Sequence, residues 1–215
     1  FQPLSIYLGA LGMTGMTAWV GLNLVDVKAG DVIFISGAAG AVGSIAGQLA
    51  KIRGCRVIGA AGSAEKVKFL QEECGFDVAF NYEGGSARNK LSLIAPDGID
   101  VYFDNVGGEM LEAALSALRV NGRIIACGSI SGYNKVKAGP FNLFNIITKR
   151  LTMKGMIVFD WIDRQDEFEK EVGGYIQDGR VKNKETVIEG IEHAVDAFLG
   201  LFDGRNVGKM VVKLD

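Results

Sequence analysis

The chain has 215 residues, 48% of them hydrophobic and 22% charged, with a formal net charge of −2. That length suits one large domain or one and a half ordinary ones, and the balance excludes a disordered chain. So weak a charge gives no reason to expect nucleic acid or an anionic membrane surface as partner, and no apolar run reaches the roughly 18 to 20 residues of a membrane span.

Cys55, Cys74 and Cys127 are odd in number and lack CxxC spacing, so free thiols are expected rather than a disulfide framework or a zinc knuckle. With no leader-like opening, a cytoplasmic location is expected. The chain starts at Phe1 without a methionine, which suggests a piece excised from a longer protein.

Phe1 to Gly12 has no clear period. Met13 to Val25 reads as a helix, with Thr14 or Thr17 placed to cap its start. Val32 to Ile35 is a continuous apolar run, the pattern of a strand buried on both faces of a parallel sheet. Ser36 to Gly43 follows as a turn without large side chains, and Ser44 to Lys51 as a helix of small residues.

Such a turn lets backbone N–H groups and the positive end of the next helix approach a phosphate. Its glycines are Gly37, Gly40 and Gly43, so Ala38 stands where the usual GxGxxG has its first glycine. No lysine follows Gly43, which argues against an ATP phosphate loop.

Arg56 to Ala60 is a second strand. Its end lies where a dinucleotide fold carries an acid that accepts from the ribose hydroxyls. This chain has Gly62 and Ser63 there, with Lys66 one helical turn on. Without the carboxylate, a 2′-phosphate is not repelled, and a hydroxyl and an ammonium stand ready for it, so NADP is favoured over NAD.

The alternation continues through a helix at Glu65 to Cys74, a strand at Val78 to Phe80, a helix at Ala87 to Ala95 and a strand at Ile99 to Phe103. Asp104 to Gly108, DNVGG, is a turn. A helix at Glu109 to Leu118 and a strand at Gly122 to Cys127 lead into Gly128 to Tyr133. The expected fold is α/β, a doubly wound parallel Rossmann sheet of about five strands with its ligand edge at the strand C-termini.

Beyond it, Lys135 to Phe144 is expected as loop, Leu143 to Arg150 as a short helix, and Leu151 to Phe159 as a further strand that completes the sheet or offers an edge for dimerisation. Arg164 to Gln177 reads as an amphipathic helix, Thr186 to Glu189 as a strand, Ile191 to Phe202 as a helix and Lys209 to Lys213 as a last strand. The single histidine, His193, has neither the partners of a metal site nor a GxSxG serine to serve. Hydride chemistry remains the best fit.

Six segments carry a resemblance that spans nearly the whole chain: GMTGMTAW from Gly12, GAAGAVGS from Gly37, GFDVAFNY from Gly75, GIDVYFDNVGG from Gly98, CGSISGYN from Cys127 and GRNVGK from Gly204. In order and content the chain resembles the medium-chain dehydrogenase/reductase superfamily. Within it, the chain is most similar to the zinc-independent, NADP-dependent alkenal and enone double-bond reductases of the prostaglandin reductase group.

The resemblance implies a cofactor site. Gly40, Ala41, Val42 and Gly43 would hold the pyrophosphate, with Lys66 and Tyr82 at the adenosine phosphate and Asn105 after the fourth strand. Cys127, Gly128, Ser129 and Tyr133 would lie along the nicotinamide half, which Met156, Ile157 and Val158 would line. Asn206 would close over the cofactor, and Thr17 is counted among its contacts.

It also implies that a barrel-like N-terminal domain is missing, and that any zinc ligands would mostly lie in it. Residues 1–185 would be the dinucleotide domain and 186–215 a segment returning toward the absent one. Thr148 occupies the region where some animal members carry a tyrosine assigned to substrate or catalysis, a departure from that pattern.

The reaction so implied is NADPH-dependent hydride delivery to the β-carbon of an α,β-unsaturated ketone or aldehyde. A donor to the enolate oxygen and a proton for the α-carbon are needed, and Tyr133 is the candidate. A quinone reductase and a non-catalytic NADPH-binding module are the alternatives. A homodimer is expected, and this chain alone is expected to bind cofactor with little activity.

Overall fold

The computed structural model describes residues 3–134 and 139–214. The expected loop from Lys135 therefore lies outside the described residues as far as position 138. A 3-10 turn at Leu4–Leu8 precedes α1 (Met13–Leu24), and then strand and helix alternate. The alternating elements are β1 (Val32–Ile35), α2 (Ala41–Ile52), β2 (Arg56–Ala61), α3 (Ala64–Glu72), β3 (Val78–Asn81), α4 (Ala87–Ile94), β4 (Ile99–Asp104), α5 (Gly108–Ala117), β5 (Leu118–Ala126), α6 (Phe144–Thr148) and β6 (Thr152–Gly155). All six strands run parallel in the order β3-β2-β1-β4-β5-β6, one more than the alternation up to Cys127 predicts. The order reverses between β1 and β4, and the crevice at that switch point opens at the strand C-termini.

Side chains on a strand alternate between faces, and here both faces are buried. Ile33 and Ile35 join Val57, Val101, Phe103 and Ile125 under α1 and α2. Val32 and Phe34 face the other way, with Ile58, Tyr102 and Ile124 beneath α4 and α5. Phe34 stacks between Phe80 and Tyr102, at ring-centroid distances of 5.9 and 5.2 Å. Both-sided burial is what makes these strands read as unbroken apolar runs.

Polar groups tie down the edge opposite the crevice. Asp100 accepts the Val32 N–H at 2.8 Å and takes Arg119 on both oxygens, and Asp31 pairs with Arg123 at 2.8 Å.

Neither Thr14 nor Thr17 caps α1. Gly12 holds the N-cap position, and the two hydroxyls donate to the Gly9 and Met13 carbonyls. The expected strand Leu151 to Phe159 stops at Gly155, and a 3-10 helix occupies Val158–Arg164. Turning there packs Met156, Val158 and Trp161 against the α1 core, burial that a longer edge strand would forgo.

The charged helix is α7 (Gln165–Gln177), which buries Phe168 and Val172. β7 (Glu185–Glu189) and β8 (Lys209–Lys213) pair with each other, parallel, in a separate two-stranded sheet. The expected helix from Ile191 to Phe202 divides into a 3-10 turn at Ile191–His193 and α8 (Ala194–Gly200). Among the described residues no helix is long and apolar enough to cross a membrane.

Candidate functional site

The loops after β1, β2, β4 and β5 converge at the crevice. In the first, Gly37 takes the left-handed conformation with φ +56°, the role usually given to the first glycine of the fingerprint. Ala38 therefore needs no glycine freedom. It is fully buried, and its N–H donates to the Ala60 carbonyl at 3.0 Å, which extends the β1–β2 ladder.

Gly40 is the N-cap of α2 and offers no side chain to the first turn, leaving the N–H groups of Ala41, Val42 and Gly43 as the helix's positive end. Gly43 is packed shut against the turn. A Cβ there would stand 2.5 Å from the Gly37 carbonyl oxygen and 2.7 Å from Ala38 Cα. The backbone is thus close-packed and its donors lead outward, an arrangement suited to a pyrophosphate.

A buried polar network joins this turn to the one after β4. Tyr102 and Asp104, two apart on the strand, share a face. The Tyr102 hydroxyl donates to Asp104 at 2.7 Å or to Ser36 Oγ at 2.9 Å. Asp104 also accepts the N–H groups of Val106 (3.0 Å) and Gly107 (2.7 Å). Asn105 donates through its amide to the Ser36 carbonyl at 2.8 Å. Complete burial and the neighbouring Asp104 carboxyl hold the Tyr102 phenol well above its ordinary pKa, so it remains a donor.

Asn105 is implied by the resemblance, whereas nothing in the sequence assigns a role to Ser36, Tyr102 or Asp104. The one local signal was a tyrosine and an acid at i and i+2 near the end of an otherwise apolar strand.

The loop after β5 lies on the β4 turn. Ile130 N–H donates to Asn105 O, and Ser131 Oγ to Val106 O at 2.7 Å. Gly107 and Gly108, with φ +70° and +52°, give the turn its path beneath this loop. A cavity of about 920 Å³ opens here, lined by Asp104, Cys127, Gly128, Ser129, Tyr133, Met156 and Ile157 among others. Its lining is mostly apolar.

Burial and the Asp104 carboxyl push the Cys127 thiol up to about 11, which keeps it protonated and a poor nucleophile near neutral pH. Tyr133 stands at the rim, 63% exposed, its oxygen accepting the Ser129 N–H at 3.3 Å. Val158 packs on the α1 core next to Met156.

At the far end, after β2, Ser63 caps α3 by accepting the Lys66 N–H at 3.2 Å. The Lys66 ammonium donates to the Gly204 carbonyl. Burial lowers its pKa, and Glu65 and Glu83 oppose that shift. Tyr82 places its hydroxyl over Gly62, where a Cβ would be 2.8 Å from it.

Asn206 donates its amide to the Gly208 carbonyl, and the Gly208 N–H reaches the Ala39 carbonyl at 2.7 Å. The structure therefore gathers Gly40 to Gly43, Asn105, Cys127 to Ser129, Tyr133, Met156, Ile157, Lys66, Tyr82 and Asn206 along one edge. Thr17 has its hydroxyl engaged within α1, at 2.7 Å from the Met13 carbonyl. Thr148 likewise turns back on α6, toward the Phe144 carbonyl.

Residues 41–173 match the zinc-binding dehydrogenase family. The chain belongs to that family. Among the described residues, however, no three or more His, Cys, Asp or Glu side chains are grouped so as to hold a metal ion, so these residues do not fit a zinc centre.

An NADP(+)-dependent 2-alkenal reductase from Nicotiana tabacum is 49% identical over 98% of this chain and 62% of its own length. Prostaglandin reductase 1 from Bos taurus is 44% identical over 98% of this chain and 65% of its own. The structure of CurA in complex with NADPH, from Vibrio vulnificus, superposes with a TM-score of 0.92 at 39% identity, covering all of this chain and 66% of that one. The chain thus spans a little under two thirds of these relatives.

Proposed function

We propose that this chain is the cofactor-holding part of an NADPH-dependent reductase of the carbon–carbon double bond in α,β-unsaturated ketones and aldehydes. The observation that carries the reading is the continuous edge from Lys66 through the Gly40–Gly43 turn to the apolar cavity at Cys127 and Met156. It offers donors for a phosphate at one end, donors for a pyrophosphate in the middle and an apolar chamber at the other end. The NADP(+)-dependent relatives and the NADPH-bound neighbour support the same cofactor.

Bound NADPH would supply the hydride. The chain's own task is position and charge. The α2 N-terminus would hold the pyrophosphate, and the Ser36–Tyr102–Asp104 network would fix Asn105 beside it. The apolar lining of the cavity would exclude water. The Tyr133 oxygen accepts from the Ser129 N–H at the rim of the cavity, where its hydroxyl would donate to an enolate oxygen or to a water that protonates the α-carbon.

The division at residue 185 belongs to the same proposal and is supported by β7 and β8 forming a sheet of their own. So does a homodimer paired along β6, whose residues Thr152–Gly155 are exposed at the sheet edge. Three free cysteines support a cytoplasmic setting.

The test is NADPH oxidation by the full-length protein across 2-alkenals, cyclic and acyclic enones, and simple quinones. Turnover of enals or enones with a saturated carbonyl product is expected. Turnover of quinones alone, or NADPH binding with no turnover on any acceptor, would contradict the reading.

A further inference from the structure

The segment from Gly204 to Gly208 connects two parts of the nucleotide site that are far apart in the chain. At its end, Gly208 is anchored to the glycine turn. Its N–H donates to the Ala39 carbonyl at 2.7 Å, and it forms a parallel bridge with Gly40. Its φ of +69° favours glycine, and a Cβ would fall 2.0 Å from the Lys184 carbonyl oxygen. Val207 is fixed next to it by exchange of hydrogen bonds with the Thr186 side chain, each 2.9 Å. At its start, the Gly204 carbonyl accepts the Lys66 ammonium, and a Cβ on Gly204 would stand 3.4 Å from Lys66 Nζ.

We propose that this segment determines nucleotide specificity: Gly208 fixes the loop to the pyrophosphate turn, and the Gly204 carbonyl aims the Lys66 ammonium at the 2′-phosphate. The proposal rests on the NADPH reading above. A lysine is a point charge on a flexible stem, and ordering it on a ligand opposes binding by its lost rotamer freedom. An ammonium has three N–H donors. One given to Gly204 leaves two for phosphate oxygens and orders the stem before the ligand arrives. Gly204 and Gly208 then act as positioning residues, through Lys66.

The test compares NADPH and NADH affinities, by fluorescence titration, for the full chain and for Gly208→Ala, Lys66→Ala and the double variant. Gly208→Ala is expected to weaken NADPH about three- to tenfold more than NADH, and this extra loss is expected to vanish in the Lys66→Ala background. Equal weakening of the two nucleotides, or an extra NADPH loss that persists without Lys66, would overturn the proposal. If Gly208→Ala does not fold, Gly204→Val, whose side chain would press on the Lys66 ammonium, carries the same comparison. An unmutated chain with no preference for NADPH would overturn the nucleotide reading itself.

Discussion

Lys66→Ala is expected to reduce NADPH affinity by about tenfold or more while changing NADH affinity by less than about twofold, with fold and stability kept. A hydrogen bond to a charged group contributes about 1.5–3 kcal/mol, and partial exposure of the lysine places the effect toward the lower end. The selectivity follows from position. Lys66 lies in the first turn of α3, after Gly62 and Ser63, which stand where a ribose-binding carboxylate would be, and its ammonium is the cation that offsets the nearby Glu65 and Glu83. Its backbone N–H is held by Ser63 whatever the side chain, so α3 keeps its cap in the variant. Parallel titrations with the two nucleotides read this out, and equal loss for both would remove the phosphate role.

Gly43→Ala should act on both nucleotides alike. The added methyl would lie 2.5 Å from the Gly37 oxygen and 2.7 Å from Ala38 Cα, and neither backbone atom can swing aside as a side chain would. Either the turn opens or α2 shifts. Overpacking of this kind costs about 1–3 kcal/mol of stability, and the donors of Ala41 to Gly43 move off the pyrophosphate. A loss of at least about tenfold is expected for NADPH and for NADH, together with a lower urea midpoint. Unchanged binding of both would mean that the turn does not carry the pyrophosphate.

The two variants differ in how visible their sites are in the sequence. The glycine turn shows itself locally, because a strand buried on both faces must be apolar throughout and the turn that follows must be free of bulk. Lys66 is visible from its distance past that turn. Ala38 breaks the motif, but the left-handed residue is Gly37, one position earlier than the fingerprint expects.

The Ser36–Tyr102–Asp104 network was hidden for the opposite reason. The Ser36 hydroxyl meets Tyr102 and Asp104 across neighbouring strands, 66 and 68 residues away, and a single sequence carries no record of such a pairing. Gly208 was hidden in the same way, since its crowding comes from the Lys184 backbone. Met156 and Val158 lie in a run whose composition suits a strand, while Ile157 between them stays exposed. Burial against α1 outweighed that preference, and the chain turned away at Gly155.

The most direct measurement is a side-by-side fluorescence titration of the unmutated chain with NADPH and NADH. NADPH is predicted to bind at least about tenfold more tightly than NADH, because on the proposed reading only its 2′-phosphate would reach Lys66 and the Ser63 hydroxyl. Equal affinities, or tighter binding of NADH, would contradict the account.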